Sequence, residues 1–214
     1  MKGAIFDMDG VLFDTESVWQ KYWFEKASEM GITLPEQFKK DVCGTGEDRM
    51  VQVVNHYYHI ENGLDVILDV YGRMKAHLER ELPGKEGVEE ILQSLKALGY
   101  KIAIASSADA ATITRNCERS GILSYFDAIT SGTEVQHGKP SPDIFCLAAE
   151  KLGLPNEECY VFEDAFNGVR AGHASHSKVI MVVDQVEPDE EIEHLCTLVA
   201  HSLLEAKDYI EKQQ

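Results

Sequence analysis

The spacing of apolar residues changes character part-way along the chain. Between residues 16 and 81 they recur at helical spacing, with polar positions between them. From Gly87 onward, helical segments alternate with short apolar runs such as 101–105, which are typical of parallel strands buried on both faces. The dipeptide Pro83-Gly84 separates the two parts. The pattern therefore predicts an all-helical segment inserted into an alternating α/β chain.

The individual elements follow from the same pattern. Strands are predicted in the apolar run before Asp7 and over residues 101–105, 126–130, 159–162 and 179–182. Helices are predicted over residues 15–30, 35–42, 51–58, 64–82, 88–98, 110–119, 141–152, 167–174 and 202–210, with Ser141 as an N-cap. Repeated βα units imply a parallel sheet with helices on both faces. We predict an α/β core domain from residues 1–15 and 83–214, and a small all-helical domain from residues 16–82.

Composition places further bounds on the function. The chain has 214 residues and a net charge of −17, which repels nucleic acid backbones and anionic membranes. No apolar run approaches the roughly 20 residues that span a bilayer, and Met1 leads into a strand rather than a signal peptide. The five cysteines are scattered without a Cys-x-x-Cys pair, which argues against a disulfide framework or a zinc site. We expect a cytoplasmic protein without nucleic acid or membrane partners.

Candidate chemistry begins where the first apolar run ends in Asp7 and Asp9. On a strand this i, i+2 spacing points both side chains to one face, and Gly10 permits the positive φ of a sharp exit. Two carboxylates this close cannot easily both ionise, so one pKa rises and the other falls. One acid is then able to donate a proton while the other stays an anionic nucleophile. Asp-Gly is also a common turn pair, so an ordinary strand-to-turn boundary explains this stretch equally well.

Polar residues also follow two other predicted strands. Ser106-Ser107 ends the second strand, and Glu163-Asp164 ends the strand at 159–162. Because parallel strands bring their carboxyl ends to one edge of the sheet, we expect these groups to converge with Asp7 and Asp9. Four carboxylates in one crevice need a cation, and hard oxygen ligands suit Mg²⁺. A magnesium site is therefore predicted at this edge.

Groups that bind an anion accompany the acids. Lys139, in Gly138-Lys139-Pro140, contributes a positive charge, and Ser106 with the amides of its turn can donate to phosphate oxygens. Taken singly, Ser106 is more often a helix cap, Lys139 a solvated surface residue, and Glu163-Asp164 the start of a loop. Together they predict a site for a metal and a phosphate.

These motifs have a characteristic order and spacing. They are Phe6-Asp7-Met8-Asp9-Gly10-Val11, Ser106, the stretch from Gly138 to Phe145, and Phe162-Glu163-Asp164 with Asn167-Gly168-Val169. In this respect the chain resembles the haloacid dehalogenase superfamily, in the branch with a helical cap after the first strand, over essentially its whole length. The resemblance implies a Rossmann-like α/β core with a helical-bundle cap.

The resemblance also implies a role for each motif residue. Asp7 would be the nucleophile that forms an aspartyl-phosphate, and Asp9 the general acid and then the base. The ligands of Mg²⁺ would be Asp7, the backbone carbonyl of Asp9 and Asp164, with Glu163 in support. The phosphoryl oxygens would be held by Ser106, Ser107 and Lys139. An aspartate at position 9 favours phosphoryl transfer over dehalogenation, because a leaving alkoxide needs a proton.

Within that branch the chain is most similar to phosphosugar phosphatases and β-phosphoglucomutases. The mutase pattern has an arginine about where Gly46 stands and a histidine at the position of Trp19. These departures favour a hydrolase of a small phosphorylated metabolite, such as a sugar phosphate, with β-phosphoglucomutase as the alternative. A non-catalytic phosphate-sensing protein is a third hypothesis, against which the intact acids and Lys139 argue. We expect the protein to be a monomer.

Candidates for substrate contacts in the predicted cap are Trp19, Thr45, Glu47 and Arg49. The Trp19 ring could stack on a sugar face, although a tryptophan on an apolar stripe is more often part of a core. Arg49 could meet a second anionic group, although a solvated position on a helix explains it better. The sequence alone leaves these contacts open.

Overall fold

The computed structural model describes residues 2–42 and 47–213 and contains a six-stranded parallel sheet. The strands are β1 (Gly3–Phe6), β2 (Lys101–Ser106), β3 (Ala128–Ser131), β4 (Cys159–Glu163), β5 (Lys178–Val182) and β6 (Leu198–Ala200). Their order across the sheet is β3-β2-β1-β4-β5-β6, so the first strand of the chain lies in the interior of the sheet. The predicted α/β fold with a parallel sheet is confirmed.

The helices divide between two compact units of the chain. In chain order they are α1 (Thr15–Glu29), α2 (Gln37–Val42), α3 (Glu47–Tyr58), α4 (Gly63–Arg80), α5 (Val88–Ala97), α6 (Ala110–Arg119), α7 (Asp143–Leu152), α8 (Phe166–Ala174), α9 (Glu190–Leu195) and α10 (Leu203–Glu211). Helices α1–α4 belong to the unit Asp14–Pro83, whereas the sheet and α5–α10 belong to the unit that ends at Phe13 and resumes at Gly84. Among the described helices, none combines the length and the apolar character that crossing a bilayer requires.

The interior of the sheet unit is built on β1. This strand pairs in parallel on both sides, with Phe6 opposite Ile104 of β2 and Phe162 of β4. One face of the sheet packs on α7, in a cluster that contains Ile5 and Val161. Because successive residues of a strand face opposite sides, Phe6 and Phe162 project to the other face, where their rings stack with centroids 4.2 Å apart. This pairing fixes the carboxyl ends of β1, β2 and β4 side by side.

The unit formed by α1–α4 has its own core, built around aromatic side chains. Trp23 is buried and contacts the rings of Phe38 and Tyr58 edge to face. The Tyr58 hydroxyl donates to the carbonyl oxygen of Trp23 at 2.7 Å, so this buried polar group has a partner. Val66 and Val70 of α4 pack in the same cluster. The helical spacing of apolar residues in this part of the sequence therefore reflects a bundle core.

Three features differ from the sequence prediction. Helix α9 and strand β6 lie where no element is predicted, because their six and three residues are too short to show a periodic pattern. The prediction of Ser141 as an N-cap is wrong, since α7 begins at Asp143 and the Ser141 hydroxyl donates to the Asp143 carboxylate at 2.6 Å. A serine side chain bonds to nearby groups outside a helix as well as at its cap, and sequence does not distinguish the two.

His176 follows α8 in the left-handed region, with a φ of 65°, and its side chain is exposed. This conformation costs a non-glycine residue about 1–2 kcal/mol. His176→Gly is therefore expected to raise the free energy of unfolding by about 1 kcal/mol, measured by urea denaturation. The matched control is His173→Gly, at an exposed position inside the helix, which should lower it by about 1 kcal/mol. A loss of stability in His176→Gly would contradict this expectation.

Candidate active site

Asp7 is the first residue beyond β1, which ends at Phe6. Its amide donates to the carbonyl oxygen of Phe162 at 2.9 Å, which extends the pairing with β4 by one residue. The chain then leaves the sheet in a turn, in which the amides of Leu12 and Phe13 both donate to the carbonyl oxygen of Met8. Asp9 lies in this turn, so the prediction that both acids project from a strand is wrong. Only Asp7 keeps the position that the strand dictates.

Gly10 shapes the turn that follows Asp9. Its φ is 77°, which confirms the predicted positive φ. A Cβ at this position would overlap the carboxylate of Asp164, the residue that follows β4. The bare backbone of Gly10 therefore leaves room for Asp164 beside the turn. Glycine is required at position 10 for two reasons: the backbone has a positive φ, and any side chain would overlap the Asp164 carboxylate.

Lys139 lies between two of the predicted acids. Its Nζ donates to Asp7 Oδ1 and to Glu163 Oε1, the latter at 2.5 Å. The Lys139 side chain is 11% exposed, so it is not the solvated surface lysine that the sequence also allowed. Burial disfavours the charged ammonium, but the carboxylates of Asp7 and Glu163 outweigh it and raise the pKa of Lys139. The ammonium therefore stays charged at the edge of the sheet.

Glu163 uses both of its carboxylate oxygens within the protein. Oε1 accepts from Lys139, and Oε2 accepts from the amides of Asp164 and Ala165 at 3.0 Å each. The side chain is 1% exposed. A buried carboxylate that is hydrogen-bonded on both oxygens holds its partners in place. Glu163 thus fixes the Lys139 ammonium and the first turn after β4.

The charge on Asp7 is poorly solvated. Burial, together with the neighbouring carboxylates of Glu163 and Asp9, raises the pKa of Asp7 to about 7 despite the attraction of the Lys139 ammonium. One lysine does not offset this concentration of acids. The electrostatics of the cluster therefore favour an additional cation.

The donor set fits such a cation. One carboxylate oxygen from each of Asp7, Glu163 and Asp164 lies within 4.8 Å of the others. Carboxylate oxygens are hard ligands, and Mg²⁺ takes one or two of them together with water and phosphate oxygens. Three of the four predicted metal residues thus converge through their side chains. For the fourth, Asp9, the prediction concerns the backbone carbonyl rather than the carboxylate.

The predicted phosphate-binding serines lie at the end of β2, beside β1. Ser106 is buried, and its hydroxyl accepts from the amide of Ala108 at 3.1 Å. The N-cap of α6 is Asp109, whose carboxylate accepts from the amide of Thr112 at 2.9 Å. Ser106 is therefore not the helix cap that a lone serine suggests. Ser107 is exposed at the same strand end.

The predicted cap residues belong to the helical unit, not to the unit of the acidic cluster. Trp19 is partly buried and stacks on Trp23 with centroids 5.7 Å apart, as part of the aromatic core. Arg49 is exposed on α3. Thr45 lies outside the described residues, and so does the side chain of Glu47. Core packing accounts for Trp19 without a substrate.

The sequence prediction missed Phe145, which lies under the lysine. Lys139 Nζ is 5.1 Å from the centroid of the Phe145 ring, within range of a cation–π contact. Phe145 is buried near the start of α7, so its ring also anchors that helix in the sheet core. Its place within the Gly138–Phe145 motif was the available indication, but an aromatic residue at a helical core position carries no chemical signal of its own.

Comparison with known protein families agrees with this geometry. The model for haloacid dehalogenase-like hydrolases matches residues 1–176, which contain the acidic cluster and Lys139. The chain belongs to this family. The resemblance inferred from the sequence motifs is thereby confirmed, and the protein is an enzyme of the haloacid dehalogenase-like hydrolases.

Individual relatives span a range of sizes. A phosphorylated carbohydrates phosphatase of Thermotoga maritima is 30% identical over 82% of each chain. The protein SUPPRESSOR OF QUENCHING 1 of Arabidopsis thaliana, described as chloroplastic, is 33% identical over 85% of this chain. The matched part is only 18% of that longer protein. The second relative therefore contains much that this chain does not share.

A solved structure extends the comparison to the fold. A HAD family hydrolase of Deinococcus radiodurans, crystallised with bound phosphate and sodium, superposes with a TM-score of 0.83 at 25% identity. The match covers 99% of this chain and 96% of that chain. Both units of the haloacid dehalogenase-like chain therefore have counterparts in a known hydrolase structure.

Proposed function

We propose that this chain is a magnesium-dependent phosphatase that hydrolyses a small phosphorylated metabolite of the sugar phosphate class. The observation that carries the proposal is the convergence of Asp7, Lys139, Glu163 and Asp164 at one sheet edge, in a family of hydrolases. A nucleophilic carboxylate, a buried cation and a set of hard metal ligands are the groups that phosphoryl transfer needs. The carbohydrate phosphatase among the relatives supports the substrate class.

Each residue has a proposed part in the reaction. An oxygen of Asp7 attacks phosphorus and forms an aspartyl-phosphate while the bond to the leaving oxygen breaks. Asp9 gives that oxygen a proton, then removes a proton from the water that attacks the aspartyl-phosphate and releases inorganic phosphate. Lys139, Ser106 and Ser107 hold the phosphoryl oxygens through charge and hydrogen bonds. Most of the rate acceleration would come from positioning and charge neutralisation.

We propose that Asp7, the carbonyl oxygen of Asp9 and Asp164 hold Mg²⁺, with Glu163 in support. When bound, the ion supplies positive charge beside the phosphoryl oxygens and the Asp7 carboxylate. Both oxygens of Glu163 already accept hydrogen bonds from the protein, which supports a role for Glu163 in placing Lys139 and the turn at Asp164.

Hydrolysis is favoured over the mutase alternative by residues of the helical unit. A mutase must hold a second phosphate, and the arginine of the mutase pattern is replaced by Gly46, which lies outside the described residues. Trp19 stands in place of the histidine and packs in the aromatic core. We further propose that residues 16–82 are a cap domain and that residues 1–15 and 83–214 are the catalytic core domain.

We also propose a cytoplasmic monomer. Four of the cysteines, Cys117, Cys146, Cys159 and Cys196, are free thiols, as a reducing compartment allows. Sedimentation of the purified chain measures the oligomeric state, and a concentration-independent mass of one chain is expected.

A panel of phosphorylated metabolites tests the proposed function directly. Inorganic phosphate release is measured for hexose phosphates, pentose phosphates, nucleotides and an aryl phosphate. The proposal expects release from at least one sugar phosphate without added bisphosphate. Conversion of β-glucose 1-phosphate to glucose 6-phosphate that depends on a bisphosphate would instead show a mutase.

Removal of divalent metal is expected to abolish phosphate release. Dialysis against a chelator should lower turnover by at least about 10²-fold, because the acids around Asp7 then lack their counter-charge. Added Mg²⁺ should restore turnover, whereas Asp164→Asn should need a higher Mg²⁺ concentration for half-maximal activity. Activity that persists in the chelator would count against the metal site.

A further inference from the structure

Three kinds of neighbour enclose the carboxylate of Glu163. Oε1 accepts from Lys139 Nζ at 2.5 Å, and Oε2 accepts from two amides of the turn after β4. The third neighbour is Gly168, in the first turn of α8, where a Cβ would overlap both carboxylate oxygens and the carbon between them. The Glu163 side chain is 1% exposed, so its carboxylate has no room to move toward solvent. The carboxylate occupies the volume that any side chain at position 168 would need.

The backbone conformation does not explain this glycine. Gly168 lies inside the helix Phe166–Ala174 and is not among the glycines with positive φ. A glycine inside a helix costs about 1 kcal/mol relative to alanine. A residue that the helix disfavours therefore stands where the Glu163 carboxylate requires space. The contact with the Glu163 carboxylate, rather than the backbone conformation of the helix, explains why position 168 is a glycine.

We propose that Gly168 is a positioning residue of the active site, which acts by giving the Glu163 carboxylate the place from which it holds Lys139. The inference rests on the phosphatase function proposed above. A methyl group at position 168 displaces the carboxylate and removes one of the two acidic partners of the Lys139 ammonium. The ammonium then shifts relative to Asp7, the residue beside which the phosphoryl group must lie.

Gly168→Ala is expected to lower kcat by about 10²-fold, because a displacement of about 1 Å in a positioned group has an effect of this size. The decisive comparison is a double-mutant cycle with Glu163→Ala, which removes the carboxylate and leaves the space open. If Gly168 acts through Glu163, adding Gly168→Ala to Glu163→Ala changes kcat by no more than about twofold. A merely structural role predicts that the two effects multiply.

Gly172→Ala is the matched control on the same helix. A Cβ there would meet Val179 Cγ2 at 2.9 Å and Val161 Cγ1 at 3.1 Å, which are apolar groups away from the acids. This variant should lower the melting temperature but keep kcat within about twofold of the unmutated protein. Combined with Glu163→Ala, it should keep kcat within about twofold of Glu163→Ala alone. All rates are measured well below the melting temperature of each variant.

A crystal structure of Gly168→Ala gives a readout that does not depend on turnover. The expected result is a Glu163 carboxylate that no longer contacts Lys139 Nζ. An unchanged contact overturns the inference, as does a Gly168→Ala variant with the kcat of Gly172→Ala. If Gly168→Ala alone does not fold, the test is the kcat of Glu163→Ala compared with that of the double variant Glu163→Ala with Gly168→Ala. A further loss of kcat in the double variant overturns the inference. Absence of phosphate release from the unmutated protein refutes the proposed function instead, and the crystal structure then tests the geometry.

Discussion

Asp7→Asn should lower the turnover of an aryl phosphate by about 10³-fold or more. Asparagine has the shape of aspartate, but its amide lacks the negative charge with which the carboxylate attacks phosphorus. Lys139 keeps Glu163 as a partner in this variant, so the ammonium stays near the site. The fold should be retained, because the substitution replaces a buried charge by a neutral group of equal size. Steady-state release of nitrophenol measures the effect.

Asp208→Asn is the control for this experiment. Asp208 lies on α10 and pairs with Lys207 at the surface, so the same chemical change there should leave turnover within about twofold. Far-ultraviolet circular dichroism should be identical for both variants and the unmutated protein. Turnover in Asp7→Asn equal to that of Asp208→Asn would exclude Asp7 as the nucleophile.

Phe162→Ala is expected to lower the free energy of unfolding of the sheet unit by about 4 kcal/mol. The ring is fully buried and stacks on Phe6 of the neighbouring strand, so alanine leaves a cavity beside Phe6 on that face of the sheet. Loss of the stacked pair contributes about 0.5–1.5 kcal/mol of this effect. Urea denaturation followed by circular dichroism measures it.

Two further variants separate cavity formation from other effects of Phe162→Ala. Phe162→Leu keeps most of the buried volume and should cost about 1–1.5 kcal/mol. Leu98→Ala removes a side chain that is 39% exposed and should cost less than about 1 kcal/mol. A Phe162→Ala variant no less stable than Leu98→Ala would show that the stacked rings contribute little.

The edge of the sheet was predictable because two simple patterns coincide there. Buried parallel strands produce continuous apolar runs, and the first charged residues after them, Asp7 and Glu163, mark where each strand leaves the core. Topology then brings those ends together without further information. The same patterns do not place Lys139, which follows an irregular stretch with no periodicity. Its burial between two carboxylates is a result of tertiary structure.

Space requirements were also beyond the sequence prediction. Gly10 could be assigned a positive φ because it follows an aspartate at a turn, but its contact with Asp164 joins distant parts of the chain. Gly168 looked like one member of a motif, and nothing in its neighbours reveals that a carboxylate fills the volume of its missing side chain. Asp9 was assigned to a strand because i, i+2 spacing does not show where pairing stops.

The interior position of β1 has a consequence for how this protein reaches its native state. Its two neighbours in the sheet begin at Lys101 and Cys159, so the strand that presents Asp7 has no partner while the helical unit is being synthesised. Contacts between such distant segments form late and slow folding. Until β2 is synthesised, this apolar strand has no partner in the sheet, and until β4 follows it is paired on one side alone. Chaperone dependence during synthesis should therefore be governed by this first strand rather than by the helices that follow it.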